Sequence, residues 1–182
     1  MILRLYFLMK NKHNHHKHHD LHEQLANEHK WNHTGQLSFI LVFSICLIVD
    51  LLYFRVLPLL QDIIPIIFRI LVAVPILILS YYLIHIATNI IFNQEEKKPT
   101  IIKTGLYTHV RHPIYLAPML MYLGIIILSL SVITFAIWIP IIFFYYKMAR
   151  YEERLLIEKF GKEYCDYMND VPMFIPKFRL KK

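Results

Sequence analysis

Pro99 to Tyr115 reads Pro-Thr-Ile-Ile-Lys-Thr-Gly-Leu-Tyr-Thr-His-Val-Arg-His-Pro-Ile-Tyr, a polar interruption between apolar segments that gathers side chains able to do chemistry. It holds a turn glycine (Gly105), two cations (Lys103, Arg111), two imidazoles (His109, His112) and the phenols of Tyr107 and Tyr115. Pro113 suits the first turn of a helix, where its missing N–H would be unsatisfied anyway. A second polar patch, Arg150-Tyr-Glu152-Glu153, closes the apolar stretch that Pro113 opens. That stretch is broken only at Ser129–Ser131, which leaves room for a tight helical hairpin. A hairpin returns the chain beside itself, so Glu152 is expected level with His112 and Tyr115. Carboxylates, an imidazole and phenols would then ring a pocket at a membrane surface. Such a pocket suits a soluble cationic cofactor meeting a lipid-borne acceptor.

The elements that must position these groups follow from composition. The 182 residues are 57% hydrophobic, against about 45–50% for an ordinary globular domain, and mean hydropathy is +0.43. A bilayer is the expected solvent. With four glycines (Gly35, Gly105, Gly124, Gly161), no glycine-rich nucleotide loop can be written anywhere. Cys46 and Cys165 fall at different expected depths, which argues against a disulfide. The net charge of +7 is distributed by topology rather than as a nucleic-acid face. Five Lys and Arg lie in residues 1–36, four in 93–112 and nine in 147–182. By the positive-inside rule both termini and the Pro99–His112 loop are expected in the cytoplasm.

The fold expected is an all-α integral membrane bundle of about four transmembrane helices, a cytoplasm-facing cofactor pocket and a C-terminal amphipathic helix. Residues 1–36 form a His-rich polar segment and 37–182 the membrane domain, with spans near 37–54, 66–90, 114–130 and 132–148, then a helix and tail over 149–182. Residues 2–9 are too short to span and carry no small-residue cleavage site. Eight histidines crowd residues 10–33. Pairs such as His15–His19 and His29–His33 share a helical face, one geometry that binds Zn²⁺ or Ni²⁺. A solvated, weakly structured tail is the preferred reading, with no metal site assigned.

Other residues carry narrower expectations. Asp50 reads as an interfacial, partly solvated carboxylate near Arg55. Pro75 should kink the second span and Arg69 should snorkel at its start. Tyr81, His85, Thr88 and Asn89 share one helical face, either walling the site or bonding helix to helix. Tyr145 and Tyr146 read as interfacial belt, and Glu153, Glu158 and Glu163 as solvated charges. Leu155, Leu156 and Phe160 continue the last helix to Gly161, a natural C-cap. The Val171–Phe178 tail is expected to fold back under the hairpin with Phe174 and Phe178 dipping into lipid.

Lys103-Thr-Gly-Leu-Tyr-Thr-His-Val-Arg-His-Pro-Ile-Tyr, followed by Glu-Glu-x-x-Leu-x-x-x-Phe-Gly-x-Glu-Tyr-x-x-Tyr and Val-Pro, resembles the isoprenylcysteine carboxyl methyltransferase family and its phospholipid-methyltransferase relatives. The resemblance covers roughly residues 93–178. It implies S-adenosyl-L-methionine as cofactor without a Rossmann domain. It also implies that Thr100, Ile101, Ile102, Tyr107, His112, Pro113, Ile114, Tyr115 and Glu152 hold that cofactor. Glu152 and Arg150 are the implied catalytic pair. Arg150 stands in for an arginine that the prenylcysteine enzymes carry where this chain has Met148, and Ala117 replaces a family glycine. Carboxylate, amine and thiol acceptors all remain open.

The expected function is methyl transfer from S-adenosylmethionine to a lipidic or amphipathic acceptor at the cytoplasmic membrane face, with no nucleic acid and no obligate protein partner. Two alternatives stand beside it. An NADPH-dependent membrane sterol or steroid reductase shares an Arg-His-Pro-x-Tyr turn but follows it with an acidic residue, where this chain reads Leu116-Ala-Pro-Met. A non-enzymatic metal-binding membrane protein would work through the histidine tract.

Overall fold

The computed structural model describes residues 18–54, 63–92 and 100–176. Helix α1 (His18–Val49) runs into a π turn at Asp50–Phe54. Helix α2 (Ile66–Phe92) precedes a 3₁₀ turn, Gly105–Thr108, and then α3 (Pro113–Ser129), α4 (Val132–Phe160) and α5 (Lys162–Asp170) follow. Among the described residues there is no strand. Residues 1–9, Arg55 and Phe178 lie outside the described residues, as do the side chains of the histidine tract.

Three stretches are long and apolar enough to cross a bilayer: Thr34–Leu52, Ile66–Ile91 and Val132–Phe160. The fourth expected span, α3, is shorter, at 17 residues. At 1.5 Å per residue it is about 26 Å long, a little less than the ~30 Å hydrocarbon core. Helix α4, with 29 residues, reaches about 44 Å and so carries its charged last turns beyond the core. Only 11% of the residues in the first span and 22% in the second are buried within the chain. Leu41, Ile67, Leu71 and Ile78 point outward instead. Apolar side chains on the outside identify lipid as the solvent.

Helix α1 starts well before residue 37, so the segment expected to be weakly structured is helical from His18 onward. Leu, Glu, Gln, Ala and Lys dominate residues 21–30, and neither proline nor glycine interrupts them before Gly35. That composition favours helix whatever the histidines do. Asp50 also departs from expectation, being 3% exposed within the π turn. Cys46 and Cys165 are both free, as their depths required. Arg69 turns its Nε to the Ile64 carbonyl at 2.8 Å, wrapping the start of α2.

Close approach holds α2 to α3. A Cβ at Gly124 would lie 2.7 Å from the Leu77 side chain, and Ser80 Oγ donates to the Ala117 carbonyl at 2.7 Å. Small residues at a crossing let two backbones approach and hydrogen-bond in lipid. Helices α3 and α4 form the expected hairpin. Leu130 turns in the left-handed region (φ 51°), and Ser131 Oγ accepts from Thr134 N at 3.3 Å to cap α4. Trp138 Nε1 donates across to the Met119 carbonyl at 3.0 Å. Phe43 of α1 joins Tyr115, Met119, Tyr122, Ile141, Tyr145 and Met148 in the core beneath the hairpin. Gly161, with φ 57°, ends α4 and turns the chain into α5.

Candidate active site

The entry patch is shaped by its turn residues. Gly105 adopts φ 61°, which a glycine enters without steric cost, and the 3₁₀ turn after it sinks Tyr107 against Ala87, Ile91 and Ile102. Pro113 occupies the first turn of α3, and the His112 carbonyl accepts from the Tyr115 and Leu116 amides at 3.1 Å each. The His112 side chain makes no capping bond, so its ring is available to α4. Tyr115 lies one turn on, with its ring stacked 5.7 Å from that of His112.

Four charged or titratable side chains meet where α3 begins and the charged last turns of α4 pass it. Arg111 donates from Nε to Glu153 Oε1 at 2.8 Å, and its Nη2 stands 2.7 Å from the same oxygen. Its Nη1 donates to the carbonyls of Met168 and Val171, both at 2.7 Å. His112 bridges the two carboxylates: Nε2 lies 3.3 Å from Glu153 Oε1 and Nδ1 3.6 Å from Glu152 Oε2. Glu152 is 1% exposed, and neither of its oxygens accepts a hydrogen bond. Its nearest cationic partner is the His112 ring, and a carboxylate buried without a donor in hydrogen-bond range can accept a further one. Burial by itself would lower the His112 pKa, but the carboxylates of Glu152 and Glu153 outweigh it and the pKa is raised. An imidazolium with a carboxylate at each nitrogen explains the sign.

The chain beyond α4 seals this cluster. The Arg111 and His112 amides donate to the carbonyls of Pro172 and Met173 at 2.9 and 3.2 Å. Phe174 packs 6.2 Å from the His112 ring and against the hairpin core, so the tail folds back as expected but this aromatic turns inward rather than into lipid. Tyr167 donates to the Tyr107 carbonyl at 2.6 Å, and burial lifts its phenol to about 12. Tyr164 is pushed up too, by burial first and then by the Glu153 and Glu152 charges.

Of the residues singled out from the sequence, Tyr107, His112, Pro113, Tyr115 and Glu152 are buried around this cluster, and Ile114 is partly buried. Ile102 packs behind Tyr107, and Ile101 packs against Leu155, Leu156, Tyr164, Tyr167 and Val171. Thr100 is exposed. Arg150 is exposed as well, with Nη1 3.6 Å from Glu153 Oε2. Three readings need correction. Glu153 is no solvated charge: it is 1% exposed and binds Arg111. Tyr145 is core rather than belt, 6.0 Å from the Tyr115 ring, while Tyr146 stays exposed. Tyr81, His85 and Asn89 face outward and contact one another along α2 instead of walling the site. His109 and Lys103 are exposed, bound to Thr108 and to Glu163. Two adjacent glutamates read alike in sequence. Only the buried cation, Arg111, hinted that one of them would be taken.

Beside Tyr115, toward the interior of the bundle, lies a cavity of about 270 Å³. It is walled by Gln36 and Ile40 of α1, Ser80 and Ile84 of α2, Tyr115 with neighbours on α3, and Tyr145 of α4. Tyr115 therefore has the charged cluster on one side and an apolar chamber on the other. Such a layout can hold a polar cationic group and an apolar one face to face.

The chain is similar in sequence to two known methyltransferases. A protein-S-isoprenylcysteine O-methyltransferase of Saccharomyces cerevisiae is 34% identical over 93 residues, which is 50% of this chain and 39% of that protein. Methanethiol S-methyltransferase 1 of Bradyrhizobium diazoefficiens is also 34% identical over 93 residues, 51% of this chain and 32% of that protein. The chain thus matches less than half the length of either relative. No solved structure matches it. The pattern of the phospholipid methyltransferase family fits residues 66–163, from the start of α2 through the hairpin and both charged patches into α5. More than half of the chain, including His112, Tyr115, Glu152 and Glu153, is accounted for by that match, and the chain belongs to the phospholipid methyltransferase family.

Proposed function

We propose that this chain transfers a methyl group from S-adenosyl-L-methionine to a lipidic or amphipathic acceptor at the cytoplasmic face of a membrane. The observation that carries the reading is Glu152, a buried carboxylate beside His112 whose oxygens accept no hydrogen bond. The donor's chemistry suits that carboxylate: it brings a sulfonium and an ammonium into a site rich in carboxylate and aromatic surface. Glu152 pairs with the cationic part, while Tyr107, the His112-Pro113-Ile114-Tyr115 turn and the backbone at Thr100–Ile102 hold the remainder. When bound, the cofactor supplies a methyl group already activated by positive charge. The residues therefore need to align two partners and exclude water rather than provide a strong acid or base. The tail from Val171 to Phe174 closes the aqueous side, and Tyr115 separates donor from acceptor. Arg150, at the rim, is positioned to meet a polar end of the acceptor.

The relatives named for prenylcysteine and for methanethiol act on apolar or amphipathic acceptors, which supports the same class here. The Lys and Arg distribution supports cytoplasmic termini and a cytoplasmic site. The test is equilibrium binding of S-adenosylmethionine to the purified full chain, followed by methyl-label transfer into a membrane extract. Binding is expected for the wild type and lost in Glu152→Ala, His112→Ala and Tyr115→Ala. No binding by the wild type, or unchanged affinity in all three variants, would overturn the proposal.

A further inference from the structure

Resting on the methyl-transfer reading above, we propose that the cavity beyond Tyr115 takes an apolar thiol, so that the transferred methyl ends on sulfur. Among the described residues, no charged side chain lines this chamber. Its polar atoms are few and partly engaged: Ser80 Oγ is bound to the Ala117 carbonyl, and Gln36 Nε2 lies 3.9 Å from Met148 Sδ. None of the cations nearby lines it. Arg111 is held by Glu153 and two carbonyls, Lys147 sits 5.1 Å over the Phe143 ring, and Arg150 is exposed beside Glu153.

Four common methyl acceptors differ in charge at neutral pH, and the chamber discriminates among them. A carboxylate is anionic, with a pKa near 4, and would enter with no cation to meet it. An aliphatic amine is cationic, with a pKa of about 10.4, and the carboxylate that could neutralise it, Glu152, is assigned to the donor. A hydroxyl enters uncharged but is a weak nucleophile. A thiol, with a pKa near 8.5, enters uncharged and yields a strong nucleophile on losing one proton. The chamber also offers sulfur two aromatic walls, Tyr115 and Tyr145, whose rings are 6.0 Å apart. Sulfur gains from such ring contacts.

The step balances. The thiol gives up its proton, and the acceptor sulfur forms a bond to the methyl carbon. The bond from that carbon to the sulfonium breaks, and the sulfonium sulfur keeps the electron pair and leaves as a neutral thioether. The proton leaves to solvent through the partly exposed rim of the chamber at Ile84, since His112, held as an imidazolium between two carboxylates, has no free nitrogen to take it.

The experiment offers the purified full chain methyl-labelled S-adenosylmethionine with octanethiol, octylamine, octanoate and octanol, four acceptors on one alkyl chain. Cofactor binding is measured in parallel. Label is expected in a base-stable thioether, with the thiol favoured over each of the other three by at least roughly tenfold. In Ile84→Trp, which fills the chamber from its partly exposed rim, KM for octanethiol should rise about tenfold while cofactor affinity stays unchanged. Cofactor bound with label in octanoate or octylamine, or with octanethiol left unmethylated, would overturn the thiol assignment and leave the methyl-transfer reading standing. An unaltered KM in Ile84→Trp would remove the acceptor from this cavity. No cofactor binding at all would overturn the underlying reading, and this inference with it.

Discussion

Glu152 and Glu153 share a peptide bond and a burial of 1% exposed, yet they do opposite work. Glu153 neutralises a buried arginine, so Glu153→Gln strands the Arg111 charge and should cost about 3–5 kcal/mol of stability, read as a lowered Tm in detergent. Glu152 flanks the His112 ring at 3.6 Å without accepting a hydrogen bond in range. Glu152→Gln should lower Tm less than Glu153→Gln does, while reducing cofactor affinity by at least about tenfold. His112 adds a pH dependence. Its folded pKa is raised above the unfolded value of about 6.5, so its contribution to stability is full below that pH and is lost as pH rises through the folded value. Tm of the wild type should therefore fall above pH 6.5, and His112→Gln should flatten that fall. In sequence the pairing of His112 with Glu152 was legible because the three residues of Ser129–Ser131 allow only a tight return. The division of labour between the glutamates was not, because it depends on Arg111, 42 positions from Glu153 in the chain.

At the scale of elements, the hairpin rests on two turn devices, a left-handed Leu130 and the Ser131 cap. Ser131→Ala should cost about 1 kcal/mol, measurable as a lower Tm with cofactor affinity unaltered, since the cap sits at the far end of the hairpin from His112. The tail works at the opposite end. A chain ending at Asp170 would lack the Val171, Pro172 and Met173 carbonyls that receive Arg111 and the His112 amide. Such a truncation should weaken cofactor binding and lower Tm together. Helix types and the return of α4 toward α3 followed from hydrophobic pattern, and so did the Gly161 stop. The inward turn of Phe174 and of Tyr145 did not follow. An aromatic at a membrane margin reads the same whether it meets lipid or a neighbouring helix. Asp50 illustrates the same limit: it is buried in a π turn that no local sequence signal announces.

At the scale of the whole molecule, the protein is an outward-apolar bundle whose charge gathers where α3 starts and α4 ends. If the Lys and Arg bias sets orientation, impermeant reagents aimed at the N-terminal segment and at residues 177–182 should reach both from the cytoplasmic side of sealed membranes. The central claim is that two patches, 40 positions apart between His112 and Glu152, act as one cradle for a cationic donor. A double-mutant cycle on S-adenosylmethionine affinity tests it most directly, using wild type, His112→Gln, Glu152→Gln and the double variant. The account predicts that both single losses are large and that the double loss falls well short of their sum, a coupling above about 0.5 kcal/mol. Additive losses, or affinities that do not move, would contradict it.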